Sequence, residues 1–131
     1  MYPVLVVPVA ARHVLVVDDD PQILDVVRRA LASSDLRIST ARRVAIARDL
    51  LTRHAIDLII TDARMPGETG LQLADKAREL GIACIMISGD PEWAAEHGLA
   101  PDRYLAKPFE LRHLLRLVRG VLAGPAGGRV A

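Results

Sequence analysis

Five short segments rich in aliphatic and β-branched residues alternate along the chain with five segments whose apolar residues recur at helical spacing. The predicted strands cover residues 14–17, 36–41, 57–61, 82–88 and 103–106. The predicted helices cover residues 21–32, 42–54, 71–80, 91–98 and 110–122. Gly81 is predicted to end the third helix, and the inward face of the fifth is predicted to consist of Leu111, Leu114, Leu115, Val118 and Leu122. Because parallel strands joined by helical crossovers are covered on both faces, this alternation predicts an α/β fold with a doubly wound, five-stranded parallel sheet.

The chain of 131 residues is long enough for one domain and too short for two. We predict a folded domain over residues 12–122, preceded by an extension at 1–11 and followed by a tail at 123–131. The extension contains Pro3 and Pro8 and the tail is rich in glycine, so we expect both to be flexible.

Charge and cysteine content exclude several classes of function. The formal net charge is +1, which provides no basic field for nucleic acid. Cys84 is the single cysteine, which excludes a disulfide framework and a multi-thiolate metal site and suits a reducing compartment. The histidines stand on separate predicted elements without ligand spacing, so we interpret them as surface or packing residues; they are His13, His54, His97 and His113. The apolar N-terminal stretch reaches Arg12 before the roughly 20 residues that a bilayer requires. We therefore expect a cytoplasmic protein that binds neither nucleic acid nor a membrane directly.

Polar side chains stand at the carboxyl ends of four of the predicted strands. They are Asp18, Asp19, Asp20, Asp62, Ser88 and Lys107. In a doubly wound sheet these strand ends meet at one edge, where ligands bind. Several carboxylates at one edge favour a hard cation such as Mg²⁺, and a carboxylate can itself act as a covalent nucleophile. A hydroxyl and an ammonium beside it would stabilise the charge that develops on a phosphoryl group.

Three adjacent carboxylates repel one another, so each needs its own explanation. Asp20 directly precedes Pro21, which is the pattern of an N-cap followed by the first helical residue, and we assign Asp20 to the helix rather than to the metal site. Asp18 and Asp19 taken alone are equally compatible with solvated loop acids. Their combination with Asp62 is what predicts metal binding.

Four motifs occur in the order "VVDDD", "DLIITDARMPGETG", "IMISGD" and "YLAKPF", each at the end of its own predicted strand. Together they resemble the receiver domain of bacterial response regulators, in the manner of the chemotaxis regulators, over residues 12–122. The resemblance implies a flavodoxin-like sheet of order 2-1-3-4-5 with five helices in a single domain. It also implies a phosphoacceptor of two-component signalling rather than an enzyme with a separate substrate.

The resemblance implies a role for each acid of the site. Asp62 would accept a phosphoryl group from a phosphohistidine on a sensor histidine kinase. Asp19, Asp62 and the backbone carbonyl of Arg64 would ligate Mg²⁺ directly, and Asp18 would act through a coordinated water. The protein would then be a phosphoprotein with Mg²⁺ as its cofactor.

The resemblance also implies that three further residues respond to phosphorylation. Ser88 would hydrogen-bond the phosphoryl oxygens, Lys107 would pair with them, and Tyr104 would turn inward when the hydroxyl moves toward the phosphate. A cis peptide bond between Lys107 and Pro108 is implied as well. This switch would alter the surface of helix 4, strand 5 and helix 5, which in such domains commonly meets partners.

The expected partners are a sensor histidine kinase, a histidine phosphotransfer protein or both, and a downstream protein target that the sequence does not identify. We expect a monomer or a weak homodimer. The segment between Ser88 and Lys107 is shorter than in typical receivers, which predicts a short fourth helix. Arg64 and Asp90 stand two positions after Asp62 and Ser88, and we hypothesise that they pair across the pocket and slow the entry of hydrolytic water.

Two alternatives compete with this interpretation. In haloacid-dehalogenase-type phosphatases an aspartate nucleophile also follows the first strand, in a D-x-D pattern that Asp18 and Asp20 satisfy. Gln22 stands where that motif normally has Thr or Val, and such enzymes are usually longer. The other alternative is a degenerate receiver that binds partners without being phosphorylated.

Overall fold

A computed structural model describes residues 11–32, 35–65, 67, 69–99 and 103–123. The predicted N-terminal extension apart from Ala11, and the predicted C-terminal tail apart from Ala123, lie outside the described residues. The strands are β1 (Arg12–Val17), β2 (Leu36–Ala41), β3 (Leu58–Asp62), β4 (Ala83–Ser88) and β5 (Tyr104–Ala106). The helices are α1 (Pro21–Leu31), α2 (Val44–Arg53), α3 (Gly70–Leu80), α4 (Pro91–Glu96) and α5 (Leu111–Leu122).

The five strands form one parallel sheet in the order β2-β1-β3-β4-β5, which confirms the predicted doubly wound arrangement. β1 has a neighbour on each side, and its Val14 stands opposite Ile38 of β2 and Leu58 of β3. The winding of the chain reverses between β1 and β3. The carboxyl ends of these two strands therefore flank the switch point at which ligands bind in such sheets.

α1 and α5 pack on one face of the sheet, and α2 and α3 pack on the other. Val14 and Val16 pack on the face that carries α1 and α5, whereas Leu15 and Val17 pack on the face that carries α2 and α3. All four side chains are at most 2% exposed. The uninterrupted apolar run in β1 follows from this arrangement, because neither face of the strand reaches water.

Local signals in the sequence fix several helix ends. The side chain of Asp20 accepts a hydrogen bond from the backbone N–H of Gln22 at 2.9 Å, which confirms Asp20 as the N-cap of α1. Gly81 ends α3 in the left-handed conformation with φ of 71°, as predicted from its position. The helix α4 is a short element of six residues, which is also as predicted.

One predicted core position in α5 is wrong. Leu111 was predicted to face inward but is 38% exposed, and Val121 packs in the core instead, together with Leu114 and Val118. The reason is the position of Leu111 in the first turn of α5. That turn starts at the carboxyl edge of the sheet, so less of the sheet lies beneath it.

The histidines are less separate than the sequence suggests. His13 and His54 lie on different elements and were predicted to be independent surface or packing residues, yet their ring centroids are 5.4 Å apart. His13 is buried in β1, and its Nε2 lies 2.6 Å from Oγ of Ser39 in β2. The end of α2 brings His54 onto this strand, a contact that the sequence does not encode locally.

No helix in the described part of the chain combines the length and the apolar composition that crossing a membrane requires.

Candidate functional site

The polar residues predicted to cluster do meet at the carboxyl edge of the sheet. Asp18 directly follows β1, and Asp62 and Ser88 are the last residues of β3 and β4. All three are buried, with exposures of 2%, 9% and 3%. Asp19 is exposed, and Lys107, which follows β5, is partly buried. The strands therefore aim acids, a hydroxyl and an ammonium at one small region.

Lys107 links the two buried acids. Its Nζ donates a hydrogen bond to Oδ2 of Asp62 at 3.1 Å and lies 3.6 Å from Oδ2 of Asp18. Burial on its own would lower the pKa of Lys107, but the hydrogen bond to Asp62 and the charges of both carboxylates outweigh it, and the pKa of Lys107 is raised. The ammonium therefore remains charged beside the acids at neutral pH.

Asp18 is the most deeply buried acid at the site. Its Oδ1 accepts a hydrogen bond from the backbone N–H of Asp20 at 2.9 Å. Burial raises the pKa of the Asp18 carboxyl, and the Asp20 amide and the charge of Lys107 only partly offset that effect. Its Oδ2 is buried and has no hydrogen-bond partner among the described residues. A buried carboxylate oxygen of this kind needs a compensating cation.

The acids fit a divalent cation such as Mg²⁺. Carboxylate oxygens of Asp18, Asp19 and Asp62 lie within 4.8 Å of one another, and these residues form a group of potential metal ligands. Oxygen donors are the ligands that Mg²⁺ prefers, and it is usually held by one or two carboxylates and several waters. Asp19 is exposed, so the group of acids is open to solvent on that side.

The loop after β3 holds the Asp62 carboxylate from the other side. The backbone N–H of Arg64 donates to Oδ1 of Asp62 at 3.2 Å. Gly70, the first residue of α3, packs against the same loop, and a Cβ at this position would lie 2.2 Å from the carbonyl oxygen of Asp62. No side chain fits there, so glycine is required for α3 to approach this closely.

The sequence reasoning did not assign Gly70 to the site. The residue ends the "MPGETG" segment, whose composition is typical of a turn and does not indicate a close backbone contact. Arg42 was also missed, and its guanidinium donates a 3.4 Å hydrogen bond to the backbone carbonyl of Asp19. Arg42 and Asp19 are distant in sequence, and the Gly70 contact depends on how closely two backbone segments approach. No local sequence pattern predicts either contact.

Ser88 is connected to three of the other predicted residues. Its backbone carbonyl accepts hydrogen bonds from the Tyr104 hydroxyl at 3.1 Å and from the Lys107 N–H at 2.9 Å. Its Oγ accepts from the backbone N–H of Asp90 at 3.0 Å. The Tyr104 side chain is partly buried, and its hydroxyl contacts the end of β4; its response to phosphorylation remains a prediction. The Lys107–Pro108 bond is cis, as the family resemblance implied.

The predicted contact between Arg64 and Asp90 is present. A guanidinium nitrogen of Arg64 lies 2.9 Å from Oδ2 of Asp90. The other oxygen of Asp90 accepts from the backbone N–H of Trp93 at 3.0 Å and caps α4. This ion pair spans the segments that follow β3 and β4, beside the Asp62 carboxylate. Its effect on hydrolysis remains a prediction.

Comparison with known proteins identifies this arrangement. Residues 14–119 match the family described as the response regulator receiver domain. The chain belongs to this family. PetR of Rhodobacter capsulatus is 33% identical over 114 residues, which cover 84% of this chain and 48% of PetR. The receiver domain thus spans about half the length of the curated relatives that it matches.

Solved receiver structures share its fold. The chemotaxis response regulator CheY4 of Vibrio cholerae is 26% identical with a TM-score of 0.74, covering 86% of this chain and 100% of CheY4. The response regulator TrrA of Thermotoga maritima, solved in complex with Mg²⁺ and BeF, is 29% identical with a TM-score of 0.74, covering 85% of this chain and 99% of that one. The family match is thus to receiver domains and not to the haloacid-dehalogenase-type fold considered as an alternative.

Proposed function

We propose that Asp62 of this receiver domain accepts a phosphoryl group from a phosphohistidine on a sensor histidine kinase or a histidine phosphotransfer protein, in a reaction that requires Mg²⁺. The observation that carries this proposal is the convergence of Lys107, Asp18 and Asp62 at the switch point of the sheet, with Nζ of Lys107 3.1 Å from Oδ2 of Asp62. The partner classes are those that receiver domains generally serve.

The chemistry assigned to each residue is the one that the receiver family implies, and the geometry described above supports it. An oxygen of Asp62 attacks phosphorus, an O–P bond forms, and the P–N bond to the donor imidazole breaks, so that the electron pair stays with the imidazole nitrogen. Lys107 and the hydroxyl of Ser88 stabilise charge on the phosphoryl oxygens. Asp18, Asp19, Asp62 and the Arg64 carbonyl would hold Mg²⁺, which neutralises negative charge between the acids and the phosphate.

The output is proposed to be a change of surface rather than catalysis on a separate substrate. Tyr104 and Lys107 both bond to the backbone carbonyl of Ser88, so movement of that residue toward a phosphoryl group would disturb β5 and its neighbours. The surface formed by α4, β5 and α5 would then present an altered face to a protein partner or pass the phosphoryl group along a relay. We propose a cytoplasmic location and a monomer or weak homodimer.

Incubation with acetyl phosphate and Mg²⁺, followed by intact and peptide mass spectrometry, tests the proposal. The wild-type chain should gain one phosphoryl group on the peptide that contains Asp62. Asp62→Asn should gain none, and Asp18→Asn should react much more slowly or not at all. Asp25→Asn is the matched control, because Asp25 is an acid on α1 that pairs with Arg28 and Arg29. It should react like the wild type.

Three outcomes would contradict the proposal. Phosphorylation that persists in Asp62→Asn, or that maps to Asp18, would place the nucleophile elsewhere. Phosphorylation at an unchanged rate without Mg²⁺ would remove the metal requirement. Complete failure of the wild type to react, with both acetyl phosphate and kinases from the same genome, would favour the degenerate receiver.

A further inference from the structure

The outward face of α5 carries arginines without acidic companions. The helix runs from Leu111 to Leu122 and contains Arg112, Arg116 and Arg119 but no aspartate or glutamate. All three arginines are exposed. At about 100° per residue they fall within an arc of about 60°, and about 10 Å of helix axis separates the first from the last. We call these three residues the α5 arginine stripe.

On α1, α2 and α3, basic residues form ion pairs with acidic residues of the same helix. On α1, Arg28 and Arg29 both pair with Asp25, and on α2 Arg53 pairs with Asp49. On α3 the pairs are Lys76 with Glu79 and Arg78 with Asp75. No ion pair of the stripe arginines occurs among the described residues. The stripe is therefore a local excess of positive charge on a chain whose net charge is only +1.

The stability of α5 does not account for the stripe. Arg112 lies in the first turn, where the helix dipole disfavours a cation. Arg116 follows Arg112 by four positions, and like charges at that spacing are destabilising. Arg119 is in the last turn, where a cation is favourable, so the dipole explains only one of the three.

A depression with both apolar and charged lining residues adjoins the stripe. An open depression of about 440 Å³ lies along its edge and is lined by Ala106, Pro108, Phe109, Glu110, His113 and Arg116. Leu111 is 38% exposed at the same end of α5. Ala106 and Pro108, the chain neighbours of Lys107, both line the depression.

We propose that the α5 arginine stripe and the adjoining depression bind an acidic helix of a partner protein, with carboxylates facing the arginines and one apolar side chain in the depression. This inference deepens the proposed function and rests on it, because it names the chemistry of the partner that the α4-β5-α5 surface meets. Pro108, Phe109 and Leu111 favour a protein over nucleic acid, because a phosphate backbone would leave their apolar surface uncovered. The chain also lacks the overall basic charge that nucleic-acid binding requires.

Fluorescence anisotropy with a defined probe tests the inference. The probe is a labelled, alanine-rich synthetic helix with glutamates at i, i+4 and i+7 and one leucine beside them, and its Glu→Gln version serves as the control peptide. Combined Arg112→Gln, Arg116→Gln and Arg119→Gln should weaken binding about tenfold and flatten its salt dependence. Combined Arg28→Gln, Arg29→Gln and Arg78→Gln removes the same charge elsewhere and should weaken binding by less than about twofold.

Further readouts separate this proposal from its competitors. The stripe variant should melt no lower than the wild type, and it should still be phosphorylated on Asp62 by acetyl phosphate. A fall in melting temperature would show that the three arginines stabilise the fold. Equal loss in both triple variants, tighter binding to duplex DNA than to the peptide, or self-association through the stripe in sedimentation would overturn the proposal. If the protein binds the peptide but acetyl phosphate never modifies Asp62, the result would count against the proposed function and leave the binding inference standing.

Discussion

Asp62 receives support from residues on both sides, and part of this support comes from backbone atoms. Its carboxylate accepts from Lys107 and from the backbone of Arg64, while Gly70 packs against its carbonyl oxygen. Because the contact with Gly70 involves backbone, the loop cannot yield as a flexible side chain would. The position of Asp62, the proposed nucleophile, therefore depends on the absence of a side chain at the start of α3.

Gly70→Ala tests this dependence. The added methyl would overlap the Asp62 carbonyl, and overpacking of this kind typically costs about 1–3 kcal/mol of unfolding free energy. We expect a lower urea midpoint and slower phosphorylation by acetyl phosphate. Gly120→Ala is the control, because a Cβ at that exposed helical position would contact nothing within 4 Å. An unchanged phosphorylation rate in Gly70→Ala would show that the loop adapts without moving the carboxylate.

The Arg64–Asp90 ion pair should slow dephosphorylation by restricting the approach of water. Arg64→Ala and Asp90→Asn both remove it, and Asp90→Asn retains an oxygen that can cap α4. Exposed ion pairs contribute up to about 1 kcal/mol. The lifetime of the phosphorylated form should therefore shorten by at most about fivefold in either variant, as measured by loss of phosphate after gel filtration.

The control for this prediction is another exposed ion pair. Arg53→Ala removes a pair with Asp49 on α2, which is not part of the site, and should leave the lifetime unchanged. Lifetimes equal to that of the wild type in both Arg64→Ala and Asp90→Asn would refute the hypothesis.

At the scale of elements, His13 joins β1 to three other parts of the fold. Its backbone N–H donates to Oδ2 of Asp57 at 2.8 Å, and its carbonyl accepts from the Asp57 N–H at 2.8 Å. Its ring meets Ser39 of β2 and the ring of His54 at the end of α2. Burial lowers the pKa of His13, the charges of Arg37 and His54 lower it further, and Asp57 partly opposes them.

This shift makes the stability of the domain sensitive to acid. The folded-state pKa of His13 lies below its ordinary value of 6.5, so the unfolded chain binds the proton more readily. The stabilisation is therefore complete above about pH 6.5 and is lost as pH falls through the folded-state value, with a slope of at most about 1.4 kcal/mol per pH unit. In urea titrations from pH 8 to pH 5, His13→Gln should be less stable at pH 8 but should show a weaker pH dependence. A pH dependence equal to that of the wild type would exclude His13 as its source.

Two glycines in helical contexts should respond to alanine in opposite directions. Gly120 is an exposed interior residue of α5 with open space around it, so Gly120→Ala should raise the free energy of unfolding by about 0.5–1 kcal/mol. Gly81 caps α3 with φ of 71°, so Gly81→Ala should lower it by about 1 kcal/mol or more. Thermal melts of both variants measure the difference. A lower melting temperature in Gly120→Ala would indicate a backbone role for that glycine.

At the scale of the molecule, the sequence predicted the location of a residue correctly where that location depends only on the position of the residue along its strand. Parallel strands bring their carboxyl ends to one edge, so Asp18, Asp62 and Ser88 could be placed together from their positions after apolar runs. The same logic failed for contacts that depend on how elements pack. The approach of Gly70 to Asp62 and the meeting of His13 with His54 arise from helix packing, which leaves no local signature.

The central claim concerns one edge of the sheet, where acids from two separate strands hold Mg²⁺ and Asp62 receives phosphorus. A crystal structure of the domain grown with Mg²⁺ and beryllofluoride tests it most directly. The account predicts beryllofluoride attached to the Asp62 carboxylate, with the ion among Asp18, Asp19 and Asp62 and Nζ of Lys107 on a fluoride. An unmodified Asp62 at saturating beryllofluoride, or a metal ion bound away from these acids, would contradict it.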